Sequence, residues 1–98
     1  MSDKIYNSKS LRDVIGVLFK NKGLQEGMDR TEIRAVWDDL MGGMISKHTR
    51  SIDLKAGKLI VVLDSSTLRQ ELSFGRQKMM EVLNDHFGKR VVKEIELR

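Results

Sequence analysis

"TRSIDLKAGKLIVVLDSSTLRQELSFGR", residues 49–76, decides the fold, because within it the hydrophobic period changes from two to that of a helix. Ile52 and Leu54 alternate with Ser51, Asp53 and Lys55, "KAGK" supplies turn residues, and Leu59–Leu63 form a five-residue apolar run. This pattern predicts a β-hairpin. Its second strand is apolar on both faces and suits a central position, whereas the first is apolar on one face only and suits an edge. The run then enters "DSSTLRQ", an acid, two serines and a threonine at a strand-to-helix junction. Four N–H groups at a helix start need acceptors, and these residue types supply them. Thr67 and Gln70 have capping-box spacing, with Ser65 or Ser66 as caps if the helix begins earlier. A nucleophilic serine would need a framing G-x-S-x-G and a positioned base, and neither is present in the sequence around it.

Working outward, the stripe Leu68, Leu72, Gly75, Met79, Val82 and Leu83 predicts one long helix from Leu68 to Phe87, closed by Gly88. "VVKEIELR" predicts a last strand, with Val91, Ile95 and Leu97 opposite Glu94 and Glu96. A helical crossover lays that strand parallel to another strand of the same sheet. Upstream, Leu11, Val14, Ile15, Leu18 and Phe19 fall on one helical stripe that stops near Gly23. Asp29 and Glu32 have the form of a second capping box, so a second helix is expected from about Arg30, carrying Ile33, Val36, Trp37, Leu40, Met41, Met44 and Ile45. Gly42 and Gly43 interrupt this stripe, and the expectation is close backbone packing with a kink rather than a break. The expected order is α-α-β-β-α-β, with a three-stranded mixed sheet covered by helices. Trp37 is expected in the core.

The 98 residues make one α+β domain, with residues 1–7 as a flexible N-terminal lead. No Cys, no Pro, 33% charged residues and a polar start without an apolar h-region describe a cytoplasmic module rather than a secreted or membrane-spanning one. No phosphate loop is present, and His48 and His86 lack the companions of a metal site, so no catalytic group, cofactor, metal or small-molecule substrate is expected.

Charge is unevenly distributed. Residues 23–46 hold five acids (Glu26, Asp29, Glu32, Asp38, Asp39) against Arg30 and Arg34, a balance of −3. Residues 47–58 hold Lys47, Arg50, Lys55 and Lys58 against Asp53, a balance of +3. With Arg69 and Arg76 on one flank of the following helix, these six cations form a candidate surface for a phosphate backbone. Aromatic residues number five, of which Tyr6 and Phe74 are free of the apolar stripes, so base-specific readout is not indicated. The acids Glu32, Asp38 and Asp39 are left for a basic protein partner.

Trp37 followed five residues later by Gly42, then "ISKHT", "AGKLIVVLDSSTLRQEL" and "VLNDHFGKRVVKEIELR", together resemble the DciA family over about residues 8–98. Those bacterial proteins, long catalogued as a domain of unknown function, load the replicative helicase. The resemblance implies a type II KH-like fold, in agreement with the element order read from periodicity, and a non-enzymatic adaptor that binds single-stranded DNA in preference to RNA. A KH domain clamps backbone on a GxxG loop, and no GxxG occurs in this sequence, which directs attention to the basic hairpin. In many relatives Leu68 is replaced by Trp, implying an apolar contact there. Many members also carry a polar tail that engages the helicase, whereas this sequence ends on the last strand. Alternatives consistent with the same residues are a KH-like RNA-binding factor of ribosome maturation and a pure protein-interaction module.

Overall fold

The computed structural model describes residues 22–98, with side chains from Gly23 onward. The amphipathic stripe at Leu11–Phe19 and the flexible lead at 1–7 lie outside the described residues. The elements are α1 (Lys22–Met41), α2 (Gly43–Lys47), β1 (Thr49–Lys55), β2 (Lys58–Leu63), α3 (Ser66–Ser73), α4 (Arg76–Phe87) and β3 (Glu94–Leu97). The class is α+β, and the sheet is mixed, in the order β1-β2-β3, with the first pair antiparallel and the second parallel. Both the central position of β2 and the parallel return of the last strand follow the sequence reading.

Ala56 and Gly57 close the hairpin with φ of 52° and 80°. Two left-handed residues make the turn whose twist matches that of the strands it joins. Gly57 also ties three elements together. Its N–H donates to Glu26 Oε2 of α1 at 3.2 Å, and its carbonyl accepts from Lys93 N at 2.7 Å, just before β3. The inner face of the sheet carries Ile52, Leu54, Leu59, Val61, Leu63 and Ile95, against which pack Ile33 and Trp37 of α1, Leu68 of α3, and Met79 and Leu83 of α4. All of these are buried, and among the described residues no buried side chain is polar or charged. Trp37 keeps its indole N–H satisfied inside this core by donating to Thr49 Oγ1 at 3.0 Å, while the same hydroxyl donates to Ile45 O at 2.7 Å.

The structure corrects four expectations. The helix expected from Arg30 runs from Lys22, through Gly23 and Gly27. Asp29 and Glu32 do not cap it: Asp29 accepts from Gln25 Nε2 one turn earlier, and Glu32 reaches across to His86. At Gly42 the helix breaks outright. Gly42 sits at φ 90°, ψ 159°, open to glycine and closed to most other residues, and a Cβ there would meet nothing within 4 Å, so close packing is not its role. The long helix expected over 68–87 is two helices, parted at Phe74 and Gly75. Bonds from Phe74 N to Glu71 O and from Gly75 N to Leu72 O tighten the end of α3 before the chain turns into α4. A single helix spanning 66–87 would be about 33 Å long at 1.5 Å per residue, against about 20 Å for β2. The turn lets both halves bury their apolar faces on a sheet that short.

The cap of α3 is Ser65, whose Oγ accepts from Leu68 N at 3.1 Å, while Ser66 and Thr67 are exposed in the first turn. Gly88 ends α4 at φ 67°, as its position predicts. The junction to β3 is held by Asn84. Its Oδ1 accepts from Val91 N at 2.9 Å and Val92 N at 2.8 Å, and its Nδ2 donates to Val92 O at 2.9 Å.

Ser65→Ala should lower stability by about 1 kcal/mol in urea melts, with Ser66→Ala and Thr67→Ala close to neutral. Asn84→Ala orphans the N–H and carbonyl of buried Val92, while Val91 N keeps its bond to Lys89 O, and should cost about 3 kcal/mol. Asn84→Asp, which still accepts both N–H groups but no longer donates to Val92 O, should fall between wild type and the alanine variant.

Candidate nucleic-acid interface

The six cations singled out in the sequence do not form one surface. β2 runs from the hairpin turn to Leu63, and its length separates two groups by about 17 Å at 3.3 Å per residue. Lys55 and Lys58 stand at the turn end, on either side of Ala56 and Gly57. Lys47 and Arg50 stand at the other end, where the chain leaves α2 and enters β1. Arg69 belongs to α3 and Arg76 to α4, so the break at Phe74–Gly75 removes the common helical flank on which they were paired.

Three of the six stand beside carboxylates, at different closeness. Arg50 is 67% exposed, yet its Nη2 lies 2.5 Å from Asp64 Oδ2. The other oxygen of Asp64 meets His48 Nδ1 at 2.7 Å, so one carboxylate just after β2 bridges the residue before β1 and the second residue of that strand. The hydrogen bond from His48, with the charge of Arg50 beside it, holds the Asp64 carboxyl below its usual range. Lys58 Nζ contacts Glu96 Oε1 at 2.9 Å, and Glu96 also takes Arg98. Hydrogen bonding to Glu96 raises the Lys58 ammonium above its ordinary value, and bonding to Lys58 and then Arg98 lowers Glu96. Lys55 lies 3.8 Å from Asp53, a loose contact, and remains 73% exposed. The outer face of the sheet carries Asp53 and Lys55 on β1, Lys58 with the half-buried Ile60 and Val62 on β2, and Glu94 and Glu96 on β3.

Lys47 and Arg76 are exposed and have no ion partner among the described residues. Arg69 is half-buried, and its Nε is shielded from water without a hydrogen-bond acceptor. The structure adds cations that the sequence reading passed over. Lys89, Arg90 and Lys93 occupy the connection from α4 to β3, exposed and unpaired among the described residues. Lys93 lies along Gly57, where an added Cβ would come within 2.9 Å of its Cδ, so this connection joins Lys55 and Lys58 at the turn end. The sequence signal is the run "GKRVVK", three cations in the six residues from the helix stop at Gly88 up to the last strand.

Of the three acids assigned to a partner, Glu32 is engaged: its Oε2 meets His86 Nε2 at 2.7 Å and links α1 to α4. Asp38 and Asp39 are exposed on the last turns of α1 and have no ion partner among the described residues. Among the described residues no three His, Cys, Asp or Glu side chains converge on a point that could hold a metal ion, and no described helix is long and apolar enough to cross a membrane.

Comparison with known proteins gives two findings. Residues 10–97 match the family model described as "Dna[CI] antecedent, DciA". A UPF0232 protein of Corynebacterium glutamicum (strain R) is 22% identical over 93 residues, which cover 95% of this chain and 52% of that protein. The chain thus spans about half the length of the curated relative it matches.

The bridge at Asp64 sets a pH dependence. A carboxyl whose folded-state pKa lies below its ordinary value of 3.8 contributes stability that is complete above that value and is lost as pH falls through the folded-state pKa. Denaturant titrations between pH 6 and about pH 2 should show Asp64→Asn less stable than wild type at the upper end. The two proteins should converge at the lower end.

Proposed function

Because this chain belongs to the DciA family, we propose that it is a non-enzymatic adaptor of DNA replication that binds single-stranded DNA weakly and acts through the replicative helicase. The match over residues 10–97 is the observation that carries the reading. What supports the nucleic-acid half is the set of exposed cations without ion partners among the described residues: Lys47, Arg76, Lys89, Arg90 and Lys93. A phosphate gains most from a cation that has no carboxylate to leave. Arg50, Lys55 and Lys58 contribute less, since Asp64, Asp53 and Glu96 compete for them. Arg69 adds charge at short range from within α3.

The helicase half rests on separation of charge. Asp38 and Asp39 project from α1 without ion partners among the described residues, so a basic protein surface can meet them without displacing any existing ion pair, whereas Glu32 would first have to leave His86. Complementary charge of this kind acts mainly on the rate of encounter.

Binding of oligothymidylate is expected to weaken steeply with salt and to depend little on base sequence. Replacing Lys89 and Arg90 together by Gln should flatten the slope of log affinity against log salt by about 1.4, at roughly 0.7 for each phosphate no longer neutralised. Replacing Lys58 by Gln should change it less. In pull-downs with purified replicative helicase, Asp38→Lys with Asp39→Lys should slow capture and spare DNA binding. Absence of DNA binding at low salt would leave a protein-interaction module, and absence of capture by wild type would retire the helicase partner for this chain.

A further inference from the structure

Phe74 is the most exposed large apolar residue described, 83% open to solvent, at the point where α3 hands over to α4. It contributes nothing to the core, which α3 supplies through Leu68 and Leu72. Ser73 turns its hydroxyl back to Gln70 O, away from the ring, and Gly75 on its other side has no side chain to cover it. The charge around the turn is positive: residues 69–80 carry Arg69, Arg76 and Lys78 against Glu71. Glu71 lines the groove between α2 and α3 together with Lys47 and Met44, while Arg76 and Lys78 begin α4 without ion partners among the described residues.

An aromatic face in water, two residues from an unpaired arginine, fits a ligand that has both a flat apolar face and a negative charge close by. A nucleotide of a single strand has both. A duplex presents its phosphates but keeps its base faces stacked inside, and an acidic protein offers charge without the flat ring. We infer that Phe74 is a stacking platform for an unpaired base of single-stranded nucleic acid, with Arg76 holding the adjoining phosphate. The inference rests on the nucleic-acid reading above and adds a contact to bases, where that reading has only contacts to phosphates.

The test compares an oligothymidylate with an abasic strand of equal length, which carries the same phosphates and no bases. Phe74→Ala should bind the thymidine strand about 5- to 150-fold more weakly, the range found for removing one base-stacking aromatic. It should bind the abasic strand as wild type does, with an unchanged melting temperature. Phe74→Trp should keep the affinity, and its fluorescence should be quenched by the thymidine strand and not by the abasic one, over a constant background from buried Trp37. Equal binding of the thymidine strand by wild type and Phe74→Ala overturns the inference and leaves the phosphate contacts standing. Equal weakening on both strands also overturns it, as does loss of helicase capture with DNA binding intact, which would make Phe74 a protein contact. If wild type binds neither strand, this inference and the nucleic-acid reading fall together.

Discussion

The side chain of Asn84 makes three hydrogen bonds to the backbone of Val91 and Val92, and the entry of β3 into the sheet depends on them. Both valines are buried, and the chain there has left α4 without yet entering a strand, so no ladder satisfies those groups. Buried backbone without partners costs as much as a broken hydrogen bond, and a short primary amide is the group that can accept from two N–H groups and donate to one carbonyl. With Val91 and Val92 fixed, Lys93 N reaches Gly57 O and β3 enters beside β2 in register, Lys58 with Glu94 through Val61 with Leu97. A parallel strand cannot be positioned by a tight turn, as β1 and β2 are. It needs an anchor on the crossover itself, and α4 carries that anchor.

The charged residues of the hairpin are part of the same architecture. Asp64 joins the end of β2 to His48 and Arg50 at the start of β1, and Lys58 joins β2 to β3 through Glu96. These are exposed pairs, each worth little alone, but they consume the cations that a linear count of charge would assign to a ligand. The free positive charge is displaced to the connections, at Lys47 after the helix break and at Lys89, Arg90 and Lys93 before β3, with Arg76 at the start of α4. Connections at the ends of a rigid sheet are where binding groups are usually found.

The outer edge of β1 shows a related economy. A free edge strand exposes backbone groups that invite pairing with another chain. Here Arg34 donates from Nε and Nη2 to Ile52 O, at 3.2 and 2.7 Å, and Leu54 N donates to Asp53 Oδ1 at 2.9 Å, with Asp53 held in turn by Arg30. Two of the edge's outward groups, Ile52 O and Leu54 N, are thus taken by side chains of α1 and of the strand itself. Arg30 and Arg34 are thereby removed from the pool of ligand-binding cations, and the partner surfaces left on α1 are its acids.

By itself the sequence determined the hairpin, the central place of β2, the parallel return of the last strand, the core position of Trp37, a polar cap after β2, which the structure assigns to Ser65 rather than to Ser66 or Thr67, and the stop at Gly88. Each depends on periodicity or on the chemistry of a residue close in the chain, and such interactions are complete within a few positions. Only the tertiary structure decided where the helices begin and break. Asp29 and Glu32 have the spacing of a cap, but Gln25 and His86 hold them instead. Gly42 and Gly75 mark breaks because the chain must turn to lay apolar faces on a short sheet, a constraint absent from the helical stripe itself. The same limit applies to the site. Lys47, Arg50, Lys55, Lys58, Arg69 and Arg76 were legible as cations, yet whether a cation is free depends on which carboxylate folding brings to it. For Arg50, Lys55 and Lys58 the fold brings Asp64, Asp53 and Glu96, the first and last of them from other strands or beyond them, whereas Lys93, beside the hairpin turn, forms no ion pair among the described residues.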